Sequence, residues 1–96
     1  MPAYVIAEVN VTDPALYEEY KKLVPATVAK YGGRYAVRGS EVEVKEGGWK
    51  PARLVVLEFQ SMEQARKWYA SPEYAPVLAL RLKAANAKLI LVEGAG

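Results

Sequence analysis

The sequence predicts an α+β fold whose elements follow the order β-α-β-β-α-α-β. In residues 3–11 and 53–59, both alternating sets of side chains are largely apolar, which is typical of strands inside a sheet. Each of these segments leads directly into a helix-start signal, at Asp13-Pro14 and at Ser61. The two halves therefore repeat one plan, as in a split βαβ unit built twice.

The first half is a strand over residues 3–11 followed by one long helical segment. Asp13 is the expected N-cap, proline occupies the first helical position, and the glycine pair at 32–33 ends the segment. Pro25 lies inside it. Because proline removes a backbone hydrogen bond, we expect it to kink the helix or to split it into two.

The second strand is expected over residues 34–37. The alternative is a longer strand that passes a bulge at Gly39-Ser40 and continues through 41–45, where glutamate and valine alternate as on an edge strand. Residues 46–51 then form a loop that leads back to the central strand at 53–59.

A helix over residues 61–70 follows, with Ser61 as N-cap and Gln64 completing a capping box. Ser71-Pro72 repeats the cap-then-proline pattern and predicts the start of a second helix. The last strand is expected over residues 87–93, with a short tail at 94–96.

The composition excludes several classes of function. The 96 residues predict one domain, 1–96, and contain neither cysteine nor histidine, so thiolate chemistry is excluded and no metal, haem or other cofactor is expected. The net charge is +2 with no basic run, which argues against nucleic acid as a partner. No stretch approaches the roughly 20 apolar residues of a membrane span, so we expect a soluble, cytoplasmic protein without a membrane partner.

Motifs along nearly the whole chain resemble a known family. They are the Tyr4-Val-Ile-Ala start, Thr12-Asp-Pro, Tyr17, Tyr20, Tyr31-Gly-Gly-Arg34, Arg38-Gly39, Val56-Leu-Glu-Phe59, Trp68-Tyr-x-Ser-Pro-Glu-Tyr74, Arg81 and Leu91-Val-Glu-Gly94. Together they resemble the family called domain of unknown function 1330, which belongs to the dimeric α/β barrel superfamily.

The resemblance implies a ferredoxin-like fold with a four-stranded antiparallel sheet of order 4-1-3-2 and helices on one face. It also implies that two copies pair their sheets across a two-fold axis. Relatives include cofactor-independent monooxygenases, haem-degrading enzymes, isomerases and proteins with no known activity. The resemblance brings no established catalytic residues.

Two carboxylates, Glu8 and Glu58, lie in the strands expected at the centre of the sheet and are the candidate catalytic residues. Desolvation there would raise the pKa of a carboxyl group towards the range of a general base. The alternative is that each is paired with an arginine at the rim of the sheet. A two-carboxylate mechanism depends on the strand register.

A ligand site is expected in the cleft between sheet and helices, where aromatic and arginine side chains suit a small organic acid. The residues expected to line or rim it are Tyr20, Arg34, Arg38, Trp68, Tyr74 and Arg81. Arg53 is a fourth arginine able to bind a carboxylate or phosphate. The alternatives are ordinary ion pairs for the arginines and packing for the aromatic residues.

Two function classes therefore remain: an enzyme that works without a metal, and a dimeric binding or accessory protein. A pocket holding a carboxylate of strongly raised pKa would favour the enzyme, and a pocket filled by its own tyrosines would favour the accessory protein.

A homodimer is expected on physical grounds as well. Both faces of strands 3–11 and 53–59 are largely apolar, but helices cover only one, so a second copy should cover the other. Trp49 or the 41–51 segment is expected at the edge of this contact.

Overall fold

A computed structural model describes residues 1–39 and 41–95. Four strands, β1 (Ala3–Val11), β2 (Arg34–Arg38), β3 (Leu54–Phe59) and β4 (Ala85–Glu93), form an antiparallel sheet of order β2-β3-β1-β4. Three helices, α1 (Pro14–Lys30), α2 (Met62–Tyr69) and α3 (Ala75–Ala84), complete the fold. The α+β prediction and the strand order are thus confirmed. Among the described helices, none combines the length and the apolar character needed to cross a membrane.

β1 lies at the centre of the sheet, between β3 and β4, and its side chains alternate between two environments. Val5, Ala7 and Val9 are buried on the side that the helices cover. On the opposite side Ile6 faces away from the helices, beside its register partners Val56 and Ile90. We call this second surface the open face of the sheet. Its centre, around Ile6, Val56 and Ile90, is apolar and not fully buried.

An aromatic cluster joins the helices to the sheet. The ring centroids of Trp68 and Phe59 are 5.6 Å apart, and those of Trp68 and Tyr74 are 4.2 Å apart. The indole N–H of Trp68 donates to Thr27 Oγ1 at 3.1 Å, so its polar atom is satisfied although the side chain is 1% exposed. Trp68 therefore fixes α2 against both α1 and β3.

Pro25 does not split α1, which is one helix of 17 residues. Val24, Thr27 and Val28 are buried on both sides of the proline, and the Thr27 hydroxyl donates to the Val24 carbonyl at 2.8 Å. The packing of these residues before and after Pro25 offsets the backbone hydrogen bond that proline removes.

The longer version of the second strand is wrong, because residues 41–45 are not in a strand. Gly39 has a φ of +66° and its N–H donates to the Leu54 carbonyl at 2.8 Å, after which the chain leaves β3. The strand irregularity lies earlier, between Tyr35 and Val37. Ser40, the second residue of the predicted bulge, and Gly96 of the predicted tail lie outside the described residues.

Two helix starts also differ from the prediction. Ser61 accepts from the Gln64 N–H as expected, but the Gln64 side chain donates to the Tyr31 carbonyl at 3.0 Å instead of returning to Ser61. Ser71 accepts from the Tyr74 N–H and donates to the Trp68 carbonyl, so it caps a turn, and α3 begins only at Ala75. The last strand begins at Ala85, two residues earlier than predicted.

Glu73 should make folding sensitive to acid. Lys30 and Tyr31 each donate to its carboxylate at 2.6 Å, and these hydrogen bonds lower its pKa from 4.5 to about 2. A lowered pKa in the folded state means that the stabilisation is complete above pH 4.5 and is lost as the pH falls towards 2. We expect the Tm difference between wild type and Glu73→Gln to be largest above pH 4.5 and to shrink across this interval.

The measurement is thermal unfolding followed by circular dichroism at a series of pH values. Glu63→Gln is the matched control, because Glu63 forms only an exposed pair with Lys67 at 3.3 Å. If the Glu73→Gln difference does not change with pH, the assignment is wrong.

Candidate functional site

A cavity of about 350 Å³ lies between the helix-covered face of the sheet and the helices. Its floor is apolar and is formed by alternate residues of the strands, including Val5, Ala7, Leu57 and Leu89. Its walls are aromatic and basic. The polar or charged side chains that line it are Tyr17, Tyr20, Lys21, Tyr35, Arg38, Arg53 and Arg81.

Arg81 is the buried charge of this cavity, with 5% of its surface exposed. Its Nε donates to the Tyr74 hydroxyl at 3.5 Å, and that hydroxyl is 2.9 Å from the hydroxyl of Tyr20. Burial alone would lower the pKa of Arg81, but the hydrogen bond to Tyr74 and the neighbouring tyrosines raise it, so the guanidinium stays charged. Within the described chain no carboxylate pairs with it.

Tyr20 stays protonated beside this charge. Burial raises the pKa of its phenol, and the neighbouring Tyr74 raises it further. Tyr20 therefore acts as a hydrogen-bonding group in the cavity wall and not as a base.

Gly39 leaves the space that the Arg53 side chain occupies beside the cavity. A Cβ atom on Gly39 would lie 2.6 Å from Arg53 Cζ, and the positive φ of Gly39 is itself unfavourable for other residues. The Arg53 guanidinium also lies 5.5 Å from the centroid of the Tyr17 ring. Its Nε is buried and has no hydrogen-bond partner in the described chain.

Arg38 and Lys21 line a more exposed part of the cavity. Arg38 Cζ lies 4.3 Å from the centroid of the Tyr35 ring, a cation–π contact. Burial raises the pKa of Tyr35, while Arg38 acts in the opposite direction. Lys21 is paired with Glu18 at 3.0 Å, so its charge is already offset.

The charge in the cavity is therefore unbalanced. Of the described residues that line it, four are basic and none is acidic. Arg38, Arg53 and Arg81 have no carboxylate partner within the part of the chain that the structure describes. An anion that entered would meet three arginine side chains above an apolar floor.

The structure brings together most of the residues expected at the ligand site. Tyr20, Arg38, Trp68 and Arg81 line the cavity. Tyr74 lies behind the wall, fully buried, where it connects Tyr20 to Arg81. Their ligand-binding role stays a prediction.

Arg34 is not at the cavity. It lies on the open face, where it forms an ion pair with its register partner Glu58. The irregularity between Tyr35 and Val37 puts Arg34 and Arg38 on opposite faces, although they are four residues apart and would share a face in a regular strand.

Glu8 and Glu58 also lie on the open face. Glu8 accepts a hydrogen bond from the indole N–H of Trp49 at 2.8 Å. Glu58 is opposite Tyr4, four residues along β1 from Glu8, so the two backbones are about 13 Å apart along the strand. Their catalytic role stays a prediction, but the sheet separates both from the cavity.

The residues expected to line the ligand site do not include Tyr17, Tyr35 or Arg53, although Arg53 is among the arginines expected to bind a carboxylate or phosphate. Arg53 is predictable from the sequence, because it belongs to the same alternating set as Val55, Leu57 and Phe59. The side chains of this set face the helices. For Tyr17 and Tyr35 the helical and strand patterns do not distinguish a core tyrosine from one that borders a cavity.

Residues 2–95 match the family described as Domain of unknown function (DUF1330), and the chain belongs to this family. No functionally curated protein matches the chain. The fold and the sheet-to-helix cavity thus belong to a protein whose family description states no activity.

Solved structures share the fold at low sequence identity. A protein of unknown function from Rhodopseudomonas palustris has a TM-score of 0.75 at 15% identity, over 99% of this chain and 83% of that one. SnoaB, a cofactor-independent oxygenase from Streptomyces nogalater, has a TM-score of 0.67 at 15% identity, over 99% and 94%. A protein from Bacteroides fragilis, described as dimeric and ferredoxin-like, has a TM-score of 0.63 at 14% identity, over 97% and 96%. At this identity the similarity shows the fold alone.

The buried hydroxyl of Tyr74 should stabilise the cavity wall. In Tyr74→Phe, Tyr20 and Arg81 both lose their shared partner, and we expect a loss of about 1–3 kcal/mol in the free energy of unfolding. Urea denaturation measures this change. Tyr69→Phe is the matched control, because Tyr69 is 39% exposed, and its effect should stay within about 0.5 kcal/mol. Equal effects of the two substitutions would contradict the proposed network.

Proposed function

We propose that this protein binds a small organic acid in the cavity between its sheet and its helices. The observation that carries the proposal is the set of three arginines, Arg38, Arg53 and Arg81, around a cavity with no acidic lining residue among those described. The volume of about 350 Å³ falls within the range of small-molecule sites, roughly 300–1,000 Å³.

Arg81 gives the strongest support. A buried cation is costly unless it is paired, because burial removes its water. Tyr74 satisfies one N–H group of Arg81, and the side chain still lines the cavity. A ligand carboxylate can accept two parallel hydrogen bonds from a guanidinium, and this interaction strengthens where water is excluded.

The apolar floor and the aromatic wall define the rest of the ligand. Leu57, Leu89 and Trp68 offer hydrophobic surface, and the Tyr20 hydroxyl and the Trp68 indole N–H are already paired within the protein, which leaves fewer neutral groups for a polyhydroxylated molecule. We therefore propose an aromatic or aliphatic acid and not a sugar or a nucleotide.

Turnover without a cofactor is a second candidate, favoured by the fold shared with SnoaB. In this view Arg81 and the protonated Tyr20 would stabilise negative charge on an oxygen atom of the substrate. Glu8 and Glu58 lie on the other side of the sheet from such a substrate. A purely structural role is less well supported, since the tyrosines line the cavity and leave it open.

Organic acids should raise the Tm of the wild-type protein, because a ligand that binds only the folded state stabilises it. We expect Arg38→Ala and Arg81→Ala to weaken binding about 10- to 100-fold, as the loss of a charge-assisted hydrogen bond implies. Thermal-shift titrations with benzoate, cinnamate and octanoate measure this effect. Arg34→Ala is the matched control, because Arg34 lies on the open face, and it should bind like the wild type.

The proposal fails if neither these acids nor dicarboxylic acids of similar size raise the wild-type Tm. It also fails if the Arg38→Ala and Arg81→Ala variants respond to the acids as Arg34→Ala does.

We also propose that two copies form a homodimer by packing their open faces together. Ile90 is 58% exposed and Val92 is 40% exposed on this face, beside the partly buried Ile6 and Val56. Such a contiguous apolar surface marks an interaction site. The same side of the sheet carries Trp49, whose indole bonds to Glu8, in keeping with the expected place of Trp49 at the edge of the contact.

A charge on the open face should break this dimer. In Ile90→Glu a two-fold contact would bring buried carboxylates onto both apolar sheets, so we expect a monomer at micromolar concentration. Light scattering coupled to size-exclusion chromatography measures the mass. Leu82→Glu is the matched control, because Leu82 is 66% exposed on α3 and should leave the dimer intact. A wild-type monomer, or a dimeric Ile90→Glu variant, would contradict the proposal.

A further inference from the structure

We infer that Gly39 is a positioning residue of the cavity. Because it has no side chain, it lets the Arg53 guanidinium stand at the cavity wall, and it thereby sets how strongly the cavity prefers an acid over a neutral molecule of the same shape. This inference rests on the proposed function, since it names a determinant of acid binding in the same cavity.

The backbones of Gly39 and Arg53 are both tied to the sheet. The Gly39 N–H donates to the carbonyl of Leu54, the first residue of β3, at 2.8 Å. The Arg53 carbonyl accepts from the N–H of Val9 in β1, also at 2.8 Å. A backbone shift that made room for a side chain at residue 39 would therefore cost these hydrogen bonds.

A side chain at residue 39 would instead displace the end of Arg53. A Cβ atom on Gly39 would lie 2.6 Å from Arg53 Cζ and 2.9 Å from Arg53 Nε. Favourable contacts between carbon atoms are longer, at roughly 3.5–4.0 Å. Since Cζ and Nε end a side chain with several rotatable bonds, the guanidinium should move to another rotamer before the strands separate.

Within the described chain, little opposes this displacement of Arg53. Its guanidinium lies 5.5 Å from the centroid of the Tyr17 ring, but its buried Nε has no hydrogen-bond partner. No described carboxylate pairs with it either. Packing between the Gly39 backbone and the cavity thus positions a charge that the described hydrogen bonds do not hold.

Loss of this position should affect acids selectively. Arg53 lines the cavity, so its guanidinium can form a charge-assisted hydrogen bond with a bound carboxylate. A neutral amide of the same shape gains far less from that charge and keeps its contacts with the apolar floor. Arg38 and Arg81 also line the cavity, so acid binding should weaken without disappearing.

The test compares acids with their amides by isothermal titration calorimetry. The pairs are benzoate with benzamide and cinnamate with cinnamamide, which share a ring and differ in charge. We expect Gly39→Ala to weaken acid binding about tenfold and amide binding less than about twofold, as loss of one charge-assisted contact implies. A general disturbance of the fold would weaken acid and amide alike.

Gly32→Ala is the matched control for backbone strain. Gly32 has a φ of +77°, close to the +66° of Gly39, but a Cβ atom there would have no neighbour within 4 Å. This variant should bind acids and amides like the wild type. Circular dichroism verifies folding. If Gly39→Ala does not fold, Gly39→Asn decides, because asparagine tolerates positive φ better and brings the same Cβ atom.

A double-mutant cycle shows whether residue 39 acts through Arg53. Arg53→Met should itself weaken acid binding selectively, and adding Gly39→Ala to it should cause no further loss.

Acid binding by Gly39→Ala that equals that of the wild type would overturn this inference and leave the proposed function standing. Equal losses for acid and amide, or a further loss of acid affinity in the double variant, would overturn it as well. If no acid binds the wild type, the proposed function fails and this inference fails with it.

Discussion

The alternation of side chains along β1 determines both surfaces of this protein. Val5, Ala7 and Val9 project towards the helices and form part of the cavity floor, while Ile6 projects to the open face. Because this period is two, a slip of one residue in register would exchange the two sets and remove both surfaces. The pairing of β1 with β3 and β4 on either side therefore holds the cavity and the apolar sheet surface in place together.

The cavity wall shows how a small domain keeps a buried cation. Arg81 has no carboxylate partner in the described chain, and a phenol hydroxyl from Tyr74 supplies the hydrogen bond that burial makes necessary. Tyr74 in turn is held by the contact of its ring with that of Trp68. The aromatic core of the fold and the charge of the site are thus one connected structure, and loss of packing at Trp68 would also disturb the cavity.

The sequence predicts the elements better than the site. Element order follows from periodicity and from the helix-start signals at Asp13 and Ser61, which the structure confirms as caps. The strand order came from the family resemblance, because single-chain periodicity does not say which strands pair. The sequence does not decide whether Pro25 splits α1, because the cost of proline is local, whereas the packing that keeps one helix comes from distant residues. Glu8 and Glu58 do lie in the two central strands, as predicted, but a pattern shows that a strand is buried and not which of its faces holds the cavity.

The irregularity between Tyr35 and Val37 has a consequence beyond the shape of β2. By shifting the alternation within five residues, it assigns Arg34 to the surface that would meet another copy and Arg38 to the surface that would meet a ligand. Two arginines of one short strand thus serve different surfaces of the protein. A substitution at Arg34 changes the open face and leaves the cavity lining as it is, whereas a substitution at Arg38 changes the cavity lining, so the two surfaces can be altered independently.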